Sequence, residues 1–164
     1  TDINDCAFRR CYKLTSINIP ESVTYLGRCV FGRCKSLKEI VIPSSVTHLR
    51  GFLFTQCSAL ESVTVKGAVT DIDDIAFRLC TSLKSFVIPA SVLRIGHHAF
   101  HDCESLSMDI PATVKIIEQG AFEGCLSINM DPTSPASQKD HQPPPRNKVE
   151  YSDYPPFVVI SIFS

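Results

Sequence analysis

The chain has 164 residues, room for one domain and a tail, since single domains commonly run to about 100 to 200 residues. Sixteen Lys and Arg against seventeen Asp and Glu leave a formal charge of −1, so the strong positive field that draws phosphate backbones from a distance is missing and nucleic acid is not an expected partner. The longest apolar run is Phe157 to Ile160, or to Phe163 if Ser161 is admitted, far below the roughly 20 residues that span a bilayer, and membrane insertion is not expected either.

Residue 1 is Thr and the opening residues already fall inside a repeating pattern, so more repeats are expected ahead of it, and the absence of a targeting segment says nothing about compartment. The repeat has a period of 23. Phenylalanine stands at Phe8, Phe31, Phe54, Phe77 and Phe100, and at Phe122 after a one-residue deletion. Three positions later come Cys11, Cys34, Cys57, Cys80, Cys103 and Cys125, and three after those Leu14, Leu37, Leu60, Leu83 and Leu106, with Ile128 in the sixth copy. Further columns are apolar: Ile17, Ile40, Val63 and Phe86; Ile19, Ile42, Val65, Ile88 and Ile110; Val23, Val46, Val69, Val92 and Val114; Leu26, Leu49, Ile72, Ile95 and Ile117. One such copy cannot bury its own apolar side, whereas stacked copies share a continuous core.

Within a copy, Leu37 to Pro43 places apolar residues at alternate positions, the period of a strand, and Pro43 ends the pairing. Equivalent strands run in one direction, which predicts a parallel sheet on one face. Val46 to Leu49 predicts a short second extended segment at the corner, and Ala99 to Cys103 a single helical turn that returns the chain.

The pattern Ile-Pro-x-x-Val-x-x-Ile-Gly-x-x-Ala-Phe-x-x-Cys-x-x-Leu, clearest from Ile88 to Leu106, resembles the BspA-type leucine-rich repeats. The resemblance covers residues 1 to about 130. It implies an α/β fold of the horseshoe class, a right-handed leucine-rich-repeat solenoid with a parallel β-sheet on one face, mostly strands and turns with little helix. It also implies recognition of another macromolecule, and it transfers no site residues, because the shared motif is core and turn. Departures are local: Lys66-Gly67-Ala68 replaces Pro-Ser-Ser in copy three, and copy five is one residue short before Pro111.

Eight cysteines raise the question of disulfides or zinc. Six share one slot and the other two, Cys6 and Cys29, share a second slot two residues before the phenylalanine. Ligands paired within two to four residues, the usual zinc spacing, are missing, so the columns read as small buried apolar side chains. Unpaired thiols stacked at about the strand spacing of 4.8 Å would be liable to oxidise, which tilts localisation toward a reducing, intracellular setting, with the cell surface as the alternative.

Among possible sites, His97 and His101 stand at i and i+4 beside His98, Asp102 and Cys103, and on one face of a helical turn they could bind a transition metal in a metal-dependent enzyme. Their columns hold Arg28, Gly51 and Asp74, and Arg9, Gly32, Thr55 and Arg78, which read as exposed turn positions. The column of His98, with Cys29, Phe52 and Ile75, reads as half-buried. Neither a phosphate-cradling Gly-rich loop nor a Gly-x-Ser-x-Gly elbow occurs. Ser22, Ser45 and Ser91 belong to turns where a hydroxyl caps local backbone, and Asp73 and Asp74 read as solvated charge. No catalytic residue, metal ligand or cofactor is therefore assigned, and the chain is not expected to be an enzyme.

The sheet face is the expected contact surface. After the leucine column it reads Thr15, Lys38, Glu61 and Lys84, alternating in sign, and a second outward column reads Asn18, Val41, Thr64, Val87 and Asp109. Exposed valines beside small polar groups suit a flat protein-binding surface. The expected function is non-enzymatic protein–protein interaction through this face, with a cell-surface adhesion or structural repeat segment as the alternative. End-to-end self-association through uncapped terminal coils is a further expectation. Residues 131 to 164 form a separate tail, rich in proline up to residue 156, a composition that builds no core. Gln142 to Arg146 could present a polyproline II ligand, and Phe157 to Ser164 could cap the last coil.

Overall fold

A computed structural model describes residues 1–133 and 135; the proline-run and capping expectations for the tail lie outside these residues. Among the described residues there are ten short strands, in chain order β1 (Asp2–Ile3), β2 (Tyr25–Leu26), β3 (Glu39–Ile42), β4 (His48–Leu49), β5 (Ser62–Val65), β6 (Asp71–Ile72), β7 (Arg94–Ile95), β8 (Ser107–Ile110), β9 (Ile116–Ile117) and β10 (Ser127–Met130). Every pairing is parallel. The register repeats the sequence period: Glu39 faces Ser62, His48 faces Asp71, Asp71 faces Arg94, and past the deletion Arg94 faces Ile116. The chain is thus a parallel β-solenoid of about six coils, and among the described residues no helix is long and apolar enough to cross a membrane.

The expected sheet of the strand Leu-x-x-Ile-x-Ile is present in two pieces, β3 with β5 and β8 with β10. Coil four, where Phe86 fills a slot otherwise held by Ile, Val or Met, lies between them. Single backbone bonds carry the stack across it, from Lys84 N to Glu61 O and from Ser107 N to Lys84 O. The longest unbroken ladder is instead the corner segment, β4-β6-β7-β9.

Where one helical turn was expected per coil, the backbone makes something else. Residues two before and two after the phenylalanine have positive φ in coil after coil: Cys6 and Arg10, Cys29 and Arg33, Phe52 and Gln56, Ile75 and Leu79, His98 and Asp102, then Gly120 and Gly124. A left-handed residue breaks helical bonding. Alternate amides donate instead to the next coil, as from Ile75 N to His97 O, Phe77 N to Ala99 O and Leu79 N to His101 O. The amides between them close short turns, as from Arg78 N to Ile75 O and Cys80 N to Phe77 O. In coil four every amide from Ile75 to Cys80 is satisfied in this way without a helix.

The core is the set of columns. Phe31, Phe54, Phe77 and Phe100 are fully buried, and the rings stack one coil apart, with centroids 5.6, 5.5, 5.2, 4.9 and 5.5 Å apart from Phe8 to Phe122. Such pairs add about 0.5–1.5 kcal/mol each beyond burial. All eight cysteines are free thiols. Five of the ladder thiols also donate to the carbonyl of the preceding phenylalanine: Cys34 to Phe8, Cys57 to Phe31, Cys80 to Phe54, Cys103 to Phe77 and Cys125 to Phe100, at 3.0–3.2 Å. Burial raises the pKa of Cys34 and of Cys125 to about 11 and that of Cys57, Cys80 and Cys103 further. Serines of the Pro-x-Ser-Val turns also reach between coils rather than capping local backbone: Ser45 Oγ donates to Val23 O and Ser91 Oγ to Val69 O.

Candidate functional site

Strand alternation decides what the broad face presents. In β3 the side chains of Ile40 and Ile42 point into the core and Glu39 and Val41 point out, and β5 repeats this with Val63 buried and Ser62 and Thr64 outward. Thr15, Asn18, Lys38, Val41, Glu61, Thr64, Lys84, Val87 and Asp109 are all exposed. Val41 lies opposite Thr64 in register, and Val87 is 84% exposed, the most exposed large apolar side chain among the described residues. The charged column pairs as its alternation requires, with Lys84 Nζ 2.7 Å from Glu61 Oε2, and this contact, with Lys38 adding to it, lowers the pKa of the Glu61 carboxyl. A shallow groove of about 380 Å³ runs between Thr15, Ser16, Lys38, Glu39, Glu61 and Ser62.

A second groove, of about 290 Å³, lies along the corner ladder between Tyr25, Arg28, Arg50, Gly51, Asp73, Asp74 and Arg94. Its arginines are already engaged. Arg94 stands 3.5 Å from Asp73, 3.1 Å from Asp74 and 3.6 Å from Glu118, and Arg28 and Arg50 each lie 5.5 Å over a ring, Phe52 and Tyr25. Asp73 and Asp74, read from sequence as solvated charge, are half-buried. Asp74 also accepts the backbone amide of His97 at 3.0 Å.

The histidine cluster differs from its sequence reading. With no helical turn, His97 and His101 do not share a face. His97 is half exposed and its Nε2 lies 3.6 Å from Glu118. His98 and His101 are the two that meet, their rings edge to face with centroids 4.9 Å apart. His98 is half-buried, as its column predicts. The column of His101 was expected to be exposed and is not: Gly32 and Thr55 are buried, Arg9 and Arg78 half-buried, and the His101 side chain is 16% exposed. The next coil adds Glu123, whose Oε2 lies 3.6 Å from His101 Nε2. One ligand-capable atom from each of His98, His101 and Glu123 falls within 4.8 Å of the other two. On its other side His101 presents Nδ1 to Asp102 Oδ2 at 2.9 Å. Burial, with His101 adding to it, lowers the pKa of His98. Glu123 was missed from sequence, although it occupies the slot of His101 one coil on, 22 residues away because of the deletion.

The profile of the BspA type leucine rich repeat region matches residues 1–129 in six copies. Among solved structures, a leucine-rich repeat protein from Bacteroides ovatus is similar at 32% identity over 77% of this chain, with a TM-score of 0.70. One from Eubacterium ventriosum is similar at 30% identity over 75% of the chain, with a TM-score of 0.69. A leucine rich cell surface protein from Faecalibacterium prausnitzii is similar at 25% identity over 78% of the chain, with a TM-score of 0.62. The matched region spans 33%, 34% and 50% of those three chains. Among curated proteins none matches. The period, the stacked columns and these matches together place the chain in the BspA-type leucine-rich repeat family.

Proposed function

We propose that the chain is a non-enzymatic protein-binding module whose contact surface is the outward face formed by Thr15, Asn18, Lys38, Val41, Glu61, Thr64, Lys84 and Val87. The observation that carries this reading is two exposed valines, Val41 and Val87 at 44% and 84% exposure, set among small polar groups beside a column of alternating charge that ends in the Lys84–Glu61 pair. Desolvating two valines supplies affinity, and the charges alongside supply register and discrimination between partners. The partner in this reading is a protein with a complementary flat surface.

The test is to identify a partner captured by the chain and then measure its affinity for two variants, Val87→Asp and the triple reversal Lys38→Glu, Glu61→Lys, Lys84→Glu. A drop of at least about tenfold in either variant, with an unchanged circular dichroism spectrum, supports this face. Unchanged affinity in both removes the site from it. A second reading, a segment of a cell-surface protein, is favoured by the description of the Faecalibacterium relative. Digestion of intact source cells with an external protease tests it: loss of the chain supports display, and full protection contradicts it.

A further inference from the structure

We propose that His98, His101 and Glu123 bind one divalent transition-metal ion of the zinc type, joining the fifth coil to the sixth. The grounds are geometric. Two imidazoles and a carboxylate bring one ligand-capable atom each to within 4.8 Å of one another, and the 3.6 Å between His101 Nε2 and Glu123 Oε2 is already near the roughly 3.3 Å that tetrahedral bonds of about 2.0–2.1 Å require. Glu123 is at the solvent edge, with its side chain 42% exposed, and can close the remaining distance.

Three further features fit a metal better than a simple ion pair. The Nδ1 atom of His98 is buried without a hydrogen-bond partner, which is costly for a polar nitrogen. Asp102 stands 2.9 Å from His101 Nδ1, where a carboxylate would fix the ring with Nε2 as the ligating atom, an arrangement that recurs behind metal-bound imidazoles. The sixth coil also makes room for these groups. A Cβ on Gly120 would stand 2.4 Å from His98 Nδ1, and one on Gly124 would stand 2.6 Å from Asp102 Oδ1. In earlier coils those two slots hold Cys29, Phe52 and Ile75, and Arg33, Gln56 and Leu79, so the side-chain columns stop where the imidazoles need space.

The donor set selects the ion. Two nitrogens and one carboxylate suit Zn²⁺ and its neighbours, while Mg²⁺ and Ca²⁺ favour oxygen ligands throughout. The ladder thiols next to the site do not compete, since Cys103 and Cys125 donate to Phe77 O and Phe100 O. Cys6 and Cys11, exposed on the first coil, are the foreseeable source of adventitious binding.

The test is a calorimetric titration of the metal-free full chain carrying Cys6→Ser and Cys11→Ser with Zn²⁺, and with Mg²⁺ as the hard-ion comparison. The expected result is one equivalent of Zn²⁺ and no Mg²⁺, with affinity at least about tenfold weaker in Glu123→Gln and about 10–100-fold weaker in Asp102→Asn. Glu123 is exposed, so its replacement leaves folding intact and reads the metal site alone. Loading with Co²⁺ should give visible ligand-field absorption without a thiolate charge-transfer band. Absence of stoichiometric Zn²⁺, equal binding of Mg²⁺, affinity unchanged in Glu123→Gln, or a thiolate band would each overturn the proposal.

Discussion

A thiol in the ladder acts as both filler and donor. Cys57 is fully buried and its thiol donates to Phe31 O at 3.0 Å, a second bond to a carbonyl that already accepts the Cys34 amide within its own turn. Because the thiolate is the reactive form and burial opposes it, Cys34, Cys57, Cys80 and Cys103 should resist a thiol reagent at pH 8 until the chain is unfolded, while Cys6 and Cys11 react at once. Counting modified thiols by mass spectrometry with and without denaturant checks this, and fast labelling of Cys57 or Cys80 in the native chain would contradict it. The glycines of coil six make an equally local prediction. Gly120 has φ +68 and His98 against it, so Gly120→Ala should cost about 1–2 kcal/mol in a urea titration. Gln56, in the left-handed slot two residues after its phenylalanine at φ 60, should respond the opposite way. Gln56→Gly relieves strain of about 1–2 kcal/mol against an added backbone entropy cost of about 0.5–1 kcal/mol, and should leave the chain equally or slightly more stable.

At the scale of the element, the limits of sequence reading have an identifiable cause. Strand alternation in Leu37 to Pro43 is local, and the buried Ile40 and Ile42 with exposed Val41 follow it directly. The turn around each phenylalanine is set by bonds to a segment 22 residues away, such as Phe54 N to Ala76 O, and local spacing cannot express that. The usual signal of a left-handed residue is glycine, and five of six coils use Cys, Arg, Phe, Gln, Ile, Leu, His or Asp there instead. The expectation of a helical turn, and the pairing of His97 with His101 that depended on it, fail for this one reason. Aligning coils across the deletion places Glu123 beside His101 from sequence alone. Packing within the element yields a graded prediction. Phe54 is fully buried between two rings, whereas Phe8 is half-buried at the first coil with a ring on one side only. Phe54→Ala should therefore cost about 3–5 kcal/mol and Phe8→Ala clearly less, as read from unfolding midpoints. Equal costs would contradict the stack.

For the whole molecule, stability passes from coil to coil. Each coil bonds mainly to its neighbours, so a fault in an interior coil separates two short stacks, while a fault at an end only frays it. The same repetition made the architecture readable from the sequence, since every apolar column became a layer of the core, and it leaves recognition to the positions between those columns. Val41, Val87 and the Lys38–Glu61–Lys84 column are such positions; the period shows that they line up and says nothing of what they meet.

Ring-to-ring nuclear Overhauser contacts in a chain with labelled phenylalanine test the stacking most directly. The account predicts contacts linking Phe31 to Phe54, Phe54 to Phe77 and Phe77 to Phe100, and none linking Phe31 to Phe100. Missing contacts between rings 23 residues apart, or strong ones between rings three coils apart, would contradict it.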